Sequence, residues 1–319
     1  MLTNTILTML LWGAAELFYK KGSHAKEKYS HLKTTIFVGL VMGIHAIIVL
    51  LTEDMNFNPV NMLIYIPVSL CYIVSMACSY FGIRFVEESI ADPIENTSGA
   101  IVPILCAVIL HETIDTWSIV AIVIIVIGVL GVGFLENSGK TDRKKILGKK
   151  LAIWAFAMPF CYALLDAVGT FLDIYYLDLE TTLLVNVNEE TIENVANTCY
   201  ELTFLLLAIG LIIFLAIKKV KLFSISEEEG EEKKNFFQQI LVQKDKIIAA
   251  LCETAGQFTY VFAMSENGAI ASPMIGSGIV IVSLLLSRIF LKEKLTKLQY
   301  LFIILVIIGI VILSIVDGD

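Results

Sequence analysis

Residues 89–131 read SIADPIENTSGAIVPILCAVILHETIDTWSIVAIVIIVIGVLG, and residues 269–312 read AIASPMIGSGIVIVSLLLSRIFLKEKLTKLQYLFIILVIIGIVI. Both stretches open with Ile-Ala-x-Pro, continue through Ser and Gly, and carry a long apolar run that ends in Glu. Each then has a short polar break and a second apolar run that contains Gly. The corresponding residues are Pro93 and Pro273, Glu112 and Glu293, and Gly128 and Gly309. A chain that repeats itself in this way contains two related halves.

The 319-residue chain is far more apolar than an ordinary soluble domain, with 57% apolar residues, 17% charged residues and a mean hydropathy of +0.81. Its apolar runs last about 17–25 residues, which is long enough for a helix to cross a hydrocarbon core of about 30 Å. They show no period-two alternation, so helices are expected and not the strands of a closed barrel. We predict an all-α integral membrane protein with ten transmembrane helices, at residues 2–19, 34–52, 59–83, 90–110, 117–135, 151–177, 198–217, 246–265, 268–287 and 298–316.

The ten predicted helices divide into five before and five after the polar segment 136–150. We predict a first five-helix repeat at residues 1–139 and a second at residues 140–319, joined in one membrane domain. Because each half has an odd number of spans, the two repeats are inverted relative to each other. In a very apolar chain this arrangement favours a transporter whose site lies at the interface between the repeats.

The 23 Lys and Arg residues all fall on one side of the membrane if the chain crosses it ten times. They occupy the segments 20–33, 84, 140–150, 218–246 and 288–297. The loops on the other side carry Glu and Asp but no Lys or Arg. By the positive-inside rule the basic loops are cytoplasmic and both termini lie outside. The sequence therefore predicts a multi-pass protein of a cell membrane, such as a bacterial inner membrane.

The sequence gives no sign of a cofactor, a metal site or a nucleic-acid partner. The six Cys residues are scattered without a CxxC motif and are expected to serve packing. Glycines of the fifth predicted helix form GxxGxG, but no strand precedes them, so close helix packing or a dimer face is expected and nucleotide binding is not. The chain lacks the GxxxxGK motif of a primary pump. We expect a monomer or homodimer in the lipid bilayer.

Two carboxylates lie in predicted spans at equivalent places in the two halves. Glu16 follows Trp12, and Asp166 follows Tyr162, each one helical turn after the aromatic residue and on the same face. Ionisable groups inside a membrane cost about 2.5–3.5 kcal/mol each, so they usually face a cavity. The repeat therefore predicts one carboxylate on each side of a central cavity. The alternative for Glu16 is an ion pair with Lys20 near the interface.

Further polar residues form stripes on the third, fourth, eighth and ninth predicted helices. The candidates are Tyr72, Ser75, Ser79 and Tyr80, then Glu95 and Asn96 after Pro93, then Glu253, Gln257 and Tyr260, and finally Ser277. Hydrogen bonding within the core is the alternative for these residues. His45 is expected to be structural or a proton relay, and Asp173 and Glu201 are expected to be solvated residues of the outer mouth.

The chain resembles the drug/metabolite transporter superfamily, specifically its ten-helix EamA type. The resemblance rests on Trp12-Gly13 followed by Lys20, on the small-residue-Pro entries before Pro93 and Pro273, and on the helix-end Glu residues that precede the last helix of each half. Glu293-Lys-Leu-Thr is similar to the family's Glu-x-Leu-Ser/Thr signature. The resemblance implies a central cavity lined by helices 1, 3, 4, 6, 8 and 9. It also implies cytoplasmic termini in many relatives, whereas the charges here place the termini outside.

The candidate residues favour a secondary transporter of an organic cation or amine-bearing metabolite, because carboxylates and aromatic rings attract ammonium groups. Glu16 or Glu253 is predicted to exchange a proton for the substrate during alternating access. A neutral amino acid, a nucleoside or a vitamin is the alternative substrate, with the carboxylates then serving structure. A membrane enzyme is less favoured, because the sequence has no DDxxD motif and no suitably placed Ser/His pair.

Overall fold

The computed structural model describes residues 2–23, 27–85, 88–111, 113–136, 149–223, 236–290 and 296–316. Within these ranges the regular structure is helical, with no strand. The helices are α1 (Leu2–Gly22), α2 (Ser30–Thr52), α3 (Val60–Ile64), α4 (Ile66–Gly82), α5 (Glu88–Glu95), α6 (Ser98–Leu105), α7 (Thr116–Glu136), α8 (Lys149–Leu177), α9 (Ile192–Ile217), α10 (Phe236–Val242), α11 (Lys244–Phe290) and α12 (Lys297–Val316). A π-helical turn at Cys106–Leu110 follows α6.

Each of the ten predicted spans falls on helix, and the all-α prediction is confirmed. The third predicted span is divided at Tyr65 into α3 and α4, and the fourth is divided between Glu95 and Ser98 into α5 and α6. In the described residues five helical segments are long and apolar enough to cross a membrane, and three shorter apolar helices accompany them. The count of ten crossings stays a prediction.

Helix α11 contains both the eighth and the ninth predicted spans and bends sharply at Asn267, whose φ and ψ are −163° and 76°. We call residues 244–266 its first arm and residues 268–290 its second arm. Thr8 and Trp12 of α1 bond to Thr259 and Glu253 of the first arm, so that arm runs antiparallel to α1.

The second arm runs the other way along α1. A Cβ atom on Gly278 would meet Met9 at 2.4 Å, and a Cβ atom on Gly13 would meet Val282 at 2.5 Å. Rising residue numbers in α1 therefore meet rising numbers in the second arm, so this arm is parallel to α1. The two arms form a hairpin, as two consecutive predicted spans require.

The packing of the helices has the symmetry expected of two repeats. Helix α1 packs between the two arms of α11, and α8 correspondingly packs against α4 and against α5 and α6. Helix α2 packs on α9, and α7 packs on α12. Exchanging the first five predicted spans with the second five maps each of these pairs onto another of them or onto itself. The duplicated sequence therefore corresponds to a duplicated arrangement of helices.

Small residues allow the closest of these contacts. A Cβ atom on Gly128 of α7 would lie 2.5 Å from Val306 of α12, and one on Gly309 of α12 would lie 2.6 Å from Ile125 of α7. These two glycines are the repeat-related pair of the sequence, and each is in contact with the other helix. The prediction that glycines of the fifth span serve close packing is confirmed for Gly128.

Four of the five basic segments meet at one end of the helix bundle, which we call the basic end. Glu27 contacts both Lys33, at 2.5 Å, and Lys246, at 3.2 Å. Arg84 lies 3.0 Å from His31. The Lys21 ammonium lies 5.2 Å from the ring of Phe290, which ends the second arm. We call the opposite end, where Asn4 bonds to Glu266 at 3.2 Å, the acidic end.

Several predicted features lie outside the described residues. They are Glu112, Glu293, Asp317, Asp319 and all but the ends of the segment 136–150. In the described part, the faces of the helices that point away from the bundle are apolar. On α2, for example, Ile44, Ile48 and Leu51 are exposed, as expected for side chains in contact with lipid.

Candidate functional site

A cavity lies in the middle of the bundle between α1, α4, α5, α8, α9 and α11. Its lining comprises Trp12, Glu16, Tyr19, Tyr72, Met76, Ser79, Tyr80, Glu95, Asn96, Tyr162, Asp166, Tyr200, Glu253, Gln257 and Ile279. These helices correspond to predicted spans 1, 3, 4, 6, 8 and 9, which the family resemblance implied, together with span 7. The cavity is therefore formed by both repeats.

Most of the predicted site residues line this cavity. Those that do are Trp12, Glu16, Tyr72, Ser79, Tyr80, Glu95, Asn96, Tyr162, Asp166, Glu253 and Gln257. The helical spacing found in the sequence thus brings residues from α1, α4, α5, α8 and α11 to one place. Whether they bind a substrate stays a prediction.

Three predicted residues do not line the cavity. Tyr260 lies directly behind its wall, with its hydroxyl 3.0 Å from that of Tyr72. Ser75 donates to the carbonyl oxygen of Tyr72 at 2.8 Å, and Ser277 donates to that of Pro273 at 2.7 Å. Serine hydroxyls in helices commonly bond to the preceding turn in this way. For both serines the helical spacing predicted a side chain that lines the cavity, and in the structure neither side chain does.

Four lining residues were absent from the sequence-based set: Tyr19, Met76, Tyr200 and Ile279. Tyr19 follows Glu16 by three residues and shares its helical face, so the spacing could have identified it. Tyr200 comes from α9, a helix that showed no polar stripe. Met76 and Ile279 are apolar and carry no signal that separates them from core residues.

The first hydrogen-bonded layer, which we call the Glu253 network, lies on the basic-end side of the cavity. Tyr19 donates to the Glu253 carboxylate at 3.2 Å, and Tyr80 donates to the Tyr19 hydroxyl at 2.8 Å. Trp12 donates through its ring nitrogen to the backbone oxygen of Glu253 at 3.2 Å. The network joins α1 and α4 to the first arm of α11, and its carboxylate remains part of the cavity wall.

The second layer, the Asp173 network, lies on the acidic-end side of the cavity. Tyr65 and Tyr72 donate one hydrogen bond each to the two oxygens of Asp173. The hydroxyl of Tyr260 lies 3.0 Å from that of Tyr72 and 2.7 Å from that of Thr170. Asp173 is 0% exposed. The expectation that Asp173 is a solvated mouth residue is therefore wrong.

Asp173 is buried because contacts from other segments of the chain cover the end of α8. Asn61 in α3 bonds through its side chain to both backbone groups of Val185, at 2.8 and 2.9 Å, and so holds the loop after α8 against α3. Tyr176 donates to the backbone oxygen of Ile64 at 3.1 Å. These long-range contacts cover the acidic end of α8, and its sequence position alone did not indicate them.

His45 and Glu201 form a separate pair on α2 and α9. The His45 Nδ1 atom lies 2.8 Å from a carboxylate oxygen of Glu201, which is 0% exposed. The expectation that Glu201 is a solvated mouth residue is wrong, because α2 packs across it. Neither residue lines the cavity. The sequence predicts either a structural role or a proton relay for His45, and the contact with Glu201 fits the structural role.

The segment at the end of α5 lies at the cavity. Its residues also differ in chemistry from those at the related position of the second half. Glu95 and Asn96 lie there, and Ile275 and Gly276 take the corresponding places after Pro273. A Cβ atom on Gly276 would lie 3.0 Å from the Asn96 backbone oxygen, so the two related segments are in contact. The asymmetry predicted from the sequence therefore lies next to the cavity, because Glu95 and Asn96 line it and the related Ile275 and Gly276 do not.

The electrostatic character of the cavity is uniformly acidic. Its wall carries the carboxylates of Glu16, Glu95, Asp166 and Glu253, and no Lys or Arg among the described residues lines it. The described residues also contain no group of three or more His, Cys, Asp or Glu side chains placed to hold a metal ion. The chemistry that this wall offers is that of acceptors and aromatic faces.

A family model described as the EamA-like transporter family matches residues 2–134 and 192–315. The curated proteins contain no significant match to the chain. A solved crystal structure of a protein is similar in fold, with a TM-score of 0.64 over 97% of this chain and 98% of that one, at 10% sequence identity. At this identity the likeness concerns the fold alone.

Proposed function

The chain belongs to the EamA-like transporter family of membrane transporters, and we propose that it carries a small organic cation or another amine-bearing metabolite. The observation that carries this proposal is the composition of the cavity wall. Four carboxylates and six aromatic rings surround the space, and no Lys or Arg of the described chain faces it. Such a wall attracts a cation through charge and through the ring faces, and repels an anion.

Transport requires that the cavity open to each side in turn. The Glu253 network and the Asp173 network lie at its two ends, and each ties helices of one repeat to helices of the other. We propose that alternating access breaks one network while the other stays closed. Tyrosine hydroxyls bonded to a carboxylate suit this role, because each bond is directional and can be replaced by water when the layer opens.

We further propose that Glu253 exchanges a proton for the substrate, with Glu16 as the alternative residue. Glu253 faces the cavity and also accepts the hydrogen bond from Tyr19. A cation that approaches this carboxylate favours its charged form and so favours release of its proton. Since Tyr19 belongs to α1 and Glu253 to α11, a change in the carboxylate's charge alters the contact between the two repeats.

A second candidate is a neutral amino acid, nucleoside or vitamin. The observation that favours it is the presence of the Asn96 and Gln257 amides on the wall, since amides recognise uncharged polar groups through paired donors and acceptors. In that case the carboxylates serve structure, and the cavity has no preference for positive charge.

The two candidates are separated by uptake into liposomes that contain the purified chain. Radiolabelled organic cations, neutral amino acids and nucleosides are offered at one concentration, and organic anions are included as a matched negative control. We expect uptake of cations that is saturable and competed by unlabelled cation. Saturable uptake of the neutral compounds with no uptake of any cation would reject the proposal in favour of the second candidate.

We propose that the basic end faces the cytoplasm, with both termini outside. An amine reagent that cannot cross membranes tests this orientation, because every Lys of the chain belongs to the basic segments. On intact cells we expect no modified Lys in the chain by mass spectrometry, and on opened cells we expect several. If intact cells yield modified Lys residues, the proposed orientation is wrong.

A further inference from the structure

Glu95 carries a carboxylate oxygen with no hydrogen-bond partner among the described residues. The residue is 3% exposed and lines the cavity, and its Oε1 atom is the unpaired one. The Ser79 hydroxyl hydrogen-bonds to the Glu95 carboxylate. Glu95 is the only cavity-lining side chain of the described residues that has such a buried, unpaired oxygen or nitrogen.

Other carboxylates near the cavity have donors from the protein. Asp166 is bonded by Ser98 and Tyr162, and Glu253 is bonded by Tyr19. Asp92, one turn before Glu95, accepts from Ser283 at 3.1 Å. The structure thus provides donors for these neighbours and leaves one oxygen of Glu95, a residue of the cavity wall, without a donor.

Three other side chains of the cavity wall do not supply this donor. The Asn96 amide, the nearest in sequence, is bonded to the backbone oxygen of Asp92 at 2.9 Å. Met76 and Ile279 on the cavity wall are apolar. A buried acceptor without a donor is costly, and almost all such groups in folded proteins are paired. A donor that enters the cavity would pair this oxygen.

The charge around Glu95 selects the kind of donor. The nearby carboxylate of Asp92 adds negative charge, and the repeat-related position is the apolar Ile275. A donor that carries positive charge forms the strongest hydrogen bond with such a carboxylate. Because Glu95 offers an acceptor and the related Ile275 does not, one charged N–H group is enough to pair the open position on Glu95.

We propose that Glu95 is the substrate-binding carboxylate and that the substrate is an ammonium ion with at least one N–H, which donates to the Oε1 atom. A quaternary ammonium ion has the charge but no N–H, so it leaves the oxygen unpaired and is rejected. This inference rests on the proposed function as a cation transporter. It assigns substrate recognition to Glu95 and leaves proton exchange to Glu253.

The test uses a set of cationic amines in which methyl groups replace the N–H groups one at a time. Phenethylamine and its N-methyl, N,N-dimethyl and N,N,N-trimethyl forms are all cations near neutral pH, and the last has no N–H. Binding to the full chain in lipid nanodiscs is measured by calorimetry. We expect similar affinities for the first three compounds and a loss of about 100-fold or more for the trimethyl form, as at other sites built around a hydrogen bond.

Two variants identify the residue responsible. In Glu95→Gln the charge is lost at nearly unchanged shape, and we expect the affinities of all four cations to fall and the step at the trimethyl form to disappear. In Glu95→Asp the charge remains, and we expect weaker binding with the step retained. Glu180→Gln, which changes an exposed carboxylate in the loop after α8, is the matched control. Thermal unfolding and size exclusion confirm that each variant is folded.

The outcomes separate this inference from the function on which it rests. If the trimethyl form binds wild type as tightly as the dimethyl form, or if the step persists undiminished in Glu95→Gln, the assignment of Glu95 is wrong while cation binding stands. If none of the four amines or other cations binds and uncharged compounds do, both the proposed function and the inference are overturned.

Discussion

The two hydrogen-bonded networks at the ends of the cavity use the same chemistry in different surroundings. At each end tyrosine hydroxyls donate toward a carboxylate, and at each end the layer joins α4 and the first arm of α11 to the first helix of a repeat, α1 or α8. Glu253 faces the cavity, whereas Asp173 is 0% exposed. The same type of side chain is thus available to a substrate at one end and enclosed by the protein at the other.

The position of each carboxylate determines what it can do. Glu253 belongs to the first arm of α11, and Asp173 belongs to α8, so repeat symmetry relates the helix pairs but not the charged residues themselves. A carboxylate on the cavity wall can exchange a proton with an arriving cation, while an enclosed one serves to hold its tyrosines in place. We therefore expect substitutions at the two ends to have effects of different kinds.

The largest difference is expected in proton-driven accumulation. Glu253→Gln removes the exchangeable proton, and we expect its accumulation of labelled cation in liposomes with a pH gradient to fall by about 10- to 100-fold. Exchange of labelled for unlabelled cation, which needs no net proton movement, is expected to continue. Asp173→Asn is the matched change at the other end and is expected to keep accumulation within a few-fold of wild type. Equal losses in the two variants would remove the distinction between the ends.

The next difference is expected in stability. Asp173→Ala removes the acceptor of the buried Tyr65 and Tyr72 hydroxyls, of which Tyr72 keeps contacts with Tyr260 and Thr170. We expect the free energy of unfolding to fall by about 2–3 kcal/mol. Glu253→Ala leaves one hydroxyl, which faces a cavity that water can enter, so a loss of about 1 kcal/mol is expected. Denaturation in detergent, followed by the loss of helical circular dichroism, measures both. A Glu253→Ala variant less stable than Asp173→Ala would reverse the assignment of the structural carboxylate.

A smaller effect is expected from the ion cluster that lies beyond the Glu253 network at the basic end. Burial raises the pKa of the Glu27 carboxyl, but Lys246 and Lys33 lower it by more, so the net pKa lies below its ordinary value of 4.5. Its contribution to stability is therefore fully present above about pH 4.5 and is lost as the pH falls through the lowered pKa.

We expect this contribution to be about 1 kcal/mol at neutral pH. The measurement is the difference in unfolding free energy between wild type and Glu27→Gln at several pH values between 3 and 7. The difference should shrink toward the acidic limit. A difference that is constant across this range would show that the charge of Glu27 does not stabilise the basic end.

The smallest effects are expected at the two serines that belong to neither network. Ser75 and Ser277 bond within their own helices, so Ser75→Ala and Ser277→Ala should leave the transport rate and its half-saturating concentration within about two-fold of wild type. Ser79→Ala, by contrast, removes the donor to Glu95 and should alter cation affinity. If the three variants behave alike, the cavity wall has been assigned incorrectly.

The sequence predicted those features of the fold that depend on local periodicity. Run lengths located the helices, the repeat indicated two related halves, and the spacing of Trp12 and Glu16 on one helical face predicted that both face the cavity. The same reasoning missed Tyr200, because a residue of the seventh span reaches the cavity only through the packing of α9 against α4.

Partners that are distant in the sequence account for the remaining errors. Asp173 is enclosed because Asn61 holds the loop at Val185 over it, and Glu201 is enclosed because α2 carries His45 across it. Neither contact has a local signal. A carboxylate near a predicted helix end therefore gives no information about its exposure until the loops and neighbouring helices are placed.

The most direct test of the proposed function is a structure of the full chain in nanodiscs with a bound primary amine such as phenethylamine. We expect density for the ligand in the central cavity, with its nitrogen within hydrogen-bond distance of a carboxylate oxygen and closest to Glu95. Ligand density outside the cavity, or in the cavity with the nitrogen in contact with none of Glu16, Glu95, Asp166 and Glu253, would contradict cation recognition by this wall.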